Sequence, residues 1–569
     1  MAEHRDNKKT RNGVKPNEND FQLDSHIPAS AKVGTQGKFH KVLGLRDLYF
    51  LCLGGSIGSA WLFGSLYGAA TAGPASIISW LIGGLISLFV AATWAEIGGI
   101  LPSTGAVVKV PHYTHGYFTG FYFGWAYYLS AVIVPPVEAV AIVTYASAYV
   151  PSLMSEGRLT GLGYAVGVLI ILLTFLMNYY GVRLLAMING GITAWKIIIP
   201  SITIIVVLMY FYPPNFNSFG GFTPLGIGPI FSAVGTAGIV FAYSGFREAL
   251  DYSGEARNPT RDVPRAMMLA VLTTIVIYTM LQTVFIGGIR WSASGLPAGD
   301  WADLSTSGAY SRAPFYTLIS ILGIGSLATV LLIDAVVSPF GTVGVYTGSS
   351  ARDLYALAEG GHLSSRINQV HGDSGIPRTA LIFSLFVGLF FLFAFPNWGQ
   401  LATIGTSSTV FTQLAGATSL VILRKSAPGL RRDFKVPAIN FVAPIAFIMS
   451  SLTVYWTTWP YTGYTFLALL IGLGIFIVSN YRGAYPESDA RQGIWIVTYS
   501  FALTVVSYLG SYGIKLIPLP YDFLTVGVIS VICFYWGVRS GYKTDRLRRI
   551  LAQEEIERSI DESKRPSNN

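Results

Sequence analysis

Beyond residue 44 the chain alternates long apolar runs with short polar joints. Fourteen runs are long enough to cross a bilayer, at roughly 45–72, 74–100, 116–150, 161–180, 182–212, 229–252, 264–289, 313–348, 376–396, 398–423, 440–460, 461–481, 491–511 and 521–539. This pattern predicts an all-α polytopic membrane protein with about 14 transmembrane helices. Residues 1–40 are polar, show no apolar periodicity and read as a disordered cytoplasmic tail. They hold no apolar segment of the kind a cleaved secretory signal needs. Residues 542–569 read as a second cytoplasmic tail.

Composition agrees with the pattern. The 569 residues are 52% hydrophobic and only 12% charged, and mean hydropathy is +0.52; a soluble chain carries about 25% charged residues. Starting in the cytoplasm and alternating across the fourteen runs puts almost all of the 38 lysines and arginines on the cytoplasmic side. Arg158, Arg290, Arg312 and Lys515 fall outside, and Lys196 and Arg247 fall within the membrane. This is the positive-inside bias. The net charge of +9 is therefore topological, and no nucleic-acid partner is expected. Cys52 and Cys533 lie in different apolar runs and imply no disulfide framework.

Some runs carry features a plain anchor does not need. The first contains GGSIGSAWLFG, with Gly54, Gly55, Gly58 and Gly64 inside one span. Glycine weakens a helix by about 1 kcal/mol relative to alanine, so the run reads either as close packing or as a helix broken at the midplane. The third run pairs Pro135 with Pro136 just before Glu138, which predicts a kink with a carboxylate facing the bundle interior. By helical spacing Tyr127, Ala131 and Glu138 share a face, and Glu138 either lines a pocket or pairs with a buried hydroxyl or lysine. In the fifth run Lys196 lies too deep to snorkel, on a face with Asn189 and Thr193. A lysine there can release and regain a proton, or it stays charged against Glu138 or Asp334. Asp334, Ser338 and Thr342 share a face of the eighth run. In the sixth run, Pro259 and Pro264 are expected to fix a cytoplasmic loop near Asn258 to Pro264, with a break at Ser244-Gly245.

Several motifs resemble those of amino-acid permeases of the amino acid–polyamine–organocation superfamily. GGSIGSAWLFG is similar to the first-span motif G-x-I-G-[ST]-G, with Ala60 for the last glycine. Ala95, Glu96, Pro102 and Gly105 match A-E-L-x-x-x-x-P-x-x-G-G, departing at Ala106. FAYSGF, residues 241–246, followed by G-E-x-x-N-P-x-R-D-x-P-R-A through Ala266, is the most specific match. Ser350, Arg352, Leu354, Tyr355, Ala356, Ala358, Gly361 and Leu363 match a further signature, expected to form a cytoplasmic amphipathic segment. The loop Leu423 to Pro437 resembles R-P-F-K-x-P. Where the family usually has an acid after G-F, this chain has Arg247 and then Glu248; these two are left to pair with each other or with Asp251. The resemblance covers about residues 40–440.

The resemblance implies a LeuT-like core of two inverted five-helix repeats with helices 1 and 6 broken. It divides the chain into a ten-helix core at 41–425 and four peripheral helices at 426–541. It implies secondary active transport of amino acids across the plasma membrane, by proton symport. The substrate carboxylate would meet free N–H groups at Ile57, Gly58, Ser59 and Ala60. Its ammonium would meet carbonyls at Phe241, Ala242 and Ser244. Ser130, Ala131 and Glu138 would wall the pocket, Phe241 would gate it, and Lys196 would replace the sodium of sodium-coupled relatives. An exchanger or amine permease of the same fold, or a non-transporting receptor, are the alternatives. No nucleotide-binding loop or H-E-x-x-H occurs, the seven histidines read as lying in tails or loops, and no cofactor, metal or enzyme activity is expected.

Overall fold

The computed structural model describes residues 41–102, 105–180, 182–364, 366–369, 377–480 and 487–543, together with 547, 549 and 552. The expected N-terminal tail and most of the C-terminal tail lie outside the described residues. The described chain is a helix bundle whose one small sheet is an antiparallel pair, Met154–Ser155 with Arg158–Leu159.

The helices run α1 Leu45–Ser56, α2 Ala60–Ala72, α3 Ser76–Ile100, α4 Ala106–His115, α5 Tyr117–Val132, α6 Val134–Ala146, α7 Gly161–Tyr180, α8 Val182–Leu208, α9 Gly228–Thr236, α10 Ile239–Tyr243 and α11 Glu248–Asp251. They continue as α12 Pro259–Gly288, α13 Pro314–Ile321, α14 Gly325–Glu359, α15 Arg378–Ala394, α16 Trp398–Ser426, α17 Ile439–Trp456, α18 Tyr461–Asn480, α19 Glu487–Leu509 and α20 Tyr521–Ser540. Among the described residues, eleven stretches are long and apolar enough to cross a membrane, or twelve when the bent pair Gly228–Thr236 and Ile239–Asp251 is one span.

Three span helices are interrupted where glycine or proline removes helical support. α1 and α2 are separated at residues 57–59. α5 gives way to α6 at Ile133, with Pro135 and Pro136 in the first turn of α6, where missing N–H groups cost least. α9 and α10 meet at a 51° bend at Ala237-Gly238.

Four expectations need correction. The main bend of the sixth run lies at Gly238, whose φ is +72°, upstream of Ser244-Gly245. Ser244–Arg247 stays helical as a 3-10 turn, because nothing there forces a left-handed residue. The loop before α12 ends at Asn258, since Pro259 suits the first helical position and Pro264 is carried inside the helix. The segment Ser350–Glu359 is no separate amphipathic piece but the last turns of α14, with Ser350, Asp353 and Leu357 buried. Of the histidines expected in tails or loops, His112 and His115 lie on α4 instead, whereas His362 lies in the loop beyond α14 and is buried there.

Glu96 and the Leu423–Pro437 loop form one cluster at an end of the bundle. Glu96 is fully buried on α3. Its Oε1 accepts from Arg424 Nε at 2.8 Å and lies 3.3 Å from Arg432 Nε. Its Oε2 accepts from the Val436 N–H at 2.7 Å and from Arg424 Nη2. Two motifs more than 300 residues apart in sequence are thus halves of a single ionic lock. Its charge-assisted, bidentate geometry offsets the burial of the carboxylate.

Candidate functional site

The break between α1 and α2 gathers the charges that the apolar runs could not expose to lipid. The α1 ladder ends at Ile57, whose N–H still bonds the Leu53 carbonyl at 2.8 Å, and the Gly58 N–H bonds the Ser56 carbonyl at 3.1 Å, so these two N–H groups are engaged rather than free as expected. Beyond them α1 presents late carbonyls and α2 its first N–H groups. Lys196, fully buried on α8, donates to the Gly54 carbonyl at 2.8 Å and to Thr342 Oγ1 at 2.7 Å. A cation at the C-terminal end of a half-helix is favoured by the helix dipole. Glu138 on α6 accepts from the Ser59 N–H at 2.7 Å, a carboxylate at the N-terminal end of the next half-helix. Tyr278 OH donates to the Ser56 carbonyl at 2.8 Å, and Trp398 Nε1 donates to Ser59 Oγ at 2.7 Å.

Lys196 has no carboxylate within ion-pair distance among the described residues. Asp334 instead accepts from Trp195 Nε1 at 2.7 Å and Ser338 Oγ at 2.6 Å. Of the residues expected to bind substrate, Ile57, Gly58, Ser59 and Ala60 therefore come together with Glu138 and, through Gly54 and Thr342, with Lys196. The side chains of residues 182–190, Asn189 among them, lie outside the described residues.

The second break sits beside the first. Gly245 lies against Ser56 and Cys52 of α1. The Ala242 N–H bonds the Gly238 carbonyl at 2.9 Å. Ser244 Oγ donates to the Phe241 carbonyl at 2.7 Å, so its hydroxyl is engaged within its own turn. Phe241 is buried, its ring beside Gly405 of α16.

Ser130 and Ala131 are buried on α5 on another side of this second segment. Ser130 Oγ accepts from Arg247 Nη1 at 2.6 Å. Arg247 pairs with neither Glu248 nor Asp251: Glu248 accepts from Ser349 Oγ at 3.0 Å, and Asp251 accepts from Tyr127 OH at 2.9 and 2.8 Å. A small cavity of about 10 Å³ lies between Arg247, Tyr127, Thr409, Thr412 and Gln413.

Sequence reasoning missed Trp398, Tyr278 and Gln413. Each is an unremarkable residue in an apolar run; only the fold brings Trp398 and Tyr278 to the first break and Gln413 to the Arg247 cavity. Among the described residues no group of three or more histidine, cysteine or acidic side chains is disposed to hold a metal.

Residues 43–479 match the family model described as amino acid permease. The chain is 37% identical over 524 residues to the glutamate/serine transporter AimA of Bacillus subtilis (strain 168), covering 90% of this chain and 96% of that protein. It is 31% identical over 516 residues to the aspartate-proton symporter of the same organism, covering 89% and 98%. It is 25% identical over 440 residues to that organism's serine/threonine exchanger SteT, covering 76% and 94%. The chain belongs to the amino acid permease family, of transporters rather than enzymes.

Proposed function

We propose that this member of the amino acid permease family is a proton-coupled amino-acid symporter working by alternating access in the plasma membrane. The observation that carries the reading is the Lys196 ammonium seated on the Gly54 carbonyl and Thr342 Oγ1 at the first break. An ammonium held by a carbonyl and a hydroxyl occupies the kind of oxygen cage that a small monovalent cation would need. When Lys196 gives up its proton, the tie between α8 and α1 weakens, and the half-helix is free to move.

The substrate's backbone is read by backbone. Its carboxylate takes the N–H groups of residues 57–60, and its ammonium takes the carbonyls of Phe241, Ala242 and Ser244. Glu138 holds the Ser59 N–H in this conformation, so the incoming carboxylate replaces one already there. Ser130 and Ala131 wall the pocket, and Phe241 closes it. The ten-helix core is taken as 41–425 and the peripheral helices as 426–541. The fourteen-crossing reading counts α1–α2 and α3 separately, the bent sixth span as one and α15 as a short span. With both termini cytoplasmic, the positive-inside bias supports this topology.

With a zwitterionic substrate, one proton moving down 100 mV supplies about 2.3 kcal/mol, enough for about fifty-fold accumulation; an anionic substrate cancels that charge and leaves the pH gradient as the drive. One relative is an aspartate-proton symporter, which supports the coupling, and another is a serine/threonine exchanger, which supports the rival. The test is uptake of labelled amino acids into proteoliposomes under an inward proton gradient without sodium. We expect accumulation that a protonophore collapses. Lys196→Ala should lose gradient-driven accumulation at least tenfold. Uptake only after unlabelled amino acid is loaded inside would instead identify an exchanger, and full proton dependence in Lys196→Ala would remove the lysine from coupling.

A further inference from the structure

We infer that Arg247 is the anchor for a side-chain carboxylate, and that this permease therefore takes acidic amino acids. The inference rests on the amino-acid symport reading and names the substrate class of that site.

Arg247 is buried, with only 4% of its surface exposed. Its Nη1 donates to Ser130 Oγ at 2.6 Å. Its Nε and Nη2 have no hydrogen-bond partner. These two atoms form one edge of the guanidinium, the edge that grips a carboxylate with two parallel hydrogen bonds. Buried donors of this kind are rarely left open, and a guanidinium cannot escape the cost by losing its proton.

The open edge belongs to a residue that lines the small cavity, with Trp94, Phe246, Thr409, Thr412 and Gln413 among its other walls. Gln413 Oε1 is also buried without a partner. The guanidinium is fixed by the rings of Tyr127 and Tyr346, whose centroids lie 4.5 and 5.2 Å from Cζ. A cation clamped between two rings and one hydroxyl is preorganised for a planar anion.

The other charges nearby do not fill this role. Glu248, Asp251 and Asp353 lie within electrostatic reach of Arg247, yet none forms an ion pair with it among the described residues. They offset part of its field and leave its directional donors open. The site thus offers a fork rather than a bare positive potential, which suits a carboxylate better than a spherical anion. At about 10 Å³ the cavity has room for no more than about one water, so a side-chain carboxylate enters only as neighbouring helices part during the transport cycle. Ser130 ties Arg247 to the wall proposed for the substrate side chain.

The full-length protein in proteoliposomes, under an inward proton gradient, would be offered labelled glutamate, aspartate, glutamine and serine. The wild type is expected to take up glutamate and aspartate. In Arg247→Gln, kcat/KM for glutamate relative to glutamine should fall by about 100-fold or more, as when a site built for a polar group loses it. Arg247→Lys should fall between, since it keeps the charge and loses the fork. Equal loss for all four substrates would make Arg247 structural and overturn the inference. Uptake of serine and glutamine but neither acid by the wild type would overturn it while the symport reading stands. Uptake of none would overturn both. If the variants do not fold, competition in the wild type decides: glutamate must inhibit labelled uptake at least tenfold more strongly than glutamine, and equal inhibition overturns the inference.

Discussion

Gly58 is the most confined residue of the first break. A Cβ there would meet Glu138 Oε1 at 2.5 Å, Glu138 Cδ at 2.9 Å and Thr342 Oγ1 at 2.9 Å. Those belong to the carboxylate that Ser59 holds through its other oxygen, Oε2, and to the hydroxyl held by Lys196, so one added methyl group pushes on both charged partners at once. Gly58→Ala is expected to lower initial uptake rates at least tenfold. Gly191→Ala is the control, because an added Cβ there meets nothing within 4 Å; comparable uptake by the two variants would refute the argument. At this scale the sequence was legible wherever charge stood against its surroundings. Lys196 and Glu138 announce themselves because a charge inside an apolar run must be functional or paired. Their partners do not. The Gly54 carbonyl has no sequence signature, and Trp398 reads as one more aromatic residue. Pairing was also illegible: Arg247 beside Glu248 suggests a local ion pair, but their positions on a tight helical turn send one toward Ser130 and the other toward Ser349.

The breaks were legible as elements but not in their placement. Glycine clusters mark both weak helices, and prolines mark the third. What fixes the sixth bend is Gly238, at a φ of +72° in the left-handed region. An L residue there costs roughly 1–2 kcal/mol in backbone strain. A Cβ would also meet Trp398 Cη2 at 2.8 Å. Trp398 stacks on Phe63 of α2, with ring centroids 5.3 Å apart, and holds Ser59 through its indole N–H. One tryptophan of α16 therefore touches both broken spans, and this coupling cannot be seen in a sequence that sets its ends more than 300 residues apart. Gly238→Ala is expected to destabilise the protein by about 2 kcal/mol and lower its melting temperature in detergent by several degrees. Because the push passes through Trp398, a second change, Trp398→Phe, should recover part of the loss. Additive losses in the double variant would mean that the two sites do not communicate.

The whole molecule is held by contacts between distant parts of the chain, and these the family signatures marked without explaining. Glu96 and the Leu423–Pro437 loop stand as separate motifs until the fold joins them. A second such joint fastens α20 to α4. His115 Nε2 lies 3.1 Å from the Gly537 carbonyl, which can only accept, so the neutral ring carries its proton there. Nδ1 then faces Thr114 Oγ1 at 2.9 Å, and Thr114 Oγ1 lies 3.0 Å from Ser419 Oγ of α16. The Tyr542 N–H bonds the Thr114 carbonyl at 2.8 Å. Burial pulls the His115 pKa from an ordinary 6.5 down to about 4, and the Gly537 hydrogen bond opposes this only in part. The unfolded chain therefore binds a proton near pH 6.5 that the folded chain refuses until about pH 4. Stability from this joint is complete above pH 6.5 and is lost as pH falls toward 4, by up to about 3 kcal/mol. Melting temperatures in detergent should fall through that window. His115→Gln, which can keep a donor toward Gly537 without gaining charge, should flatten the acid limb relative to the wild type. An unchanged acid limb in that variant would mean that other groups set the acid sensitivity.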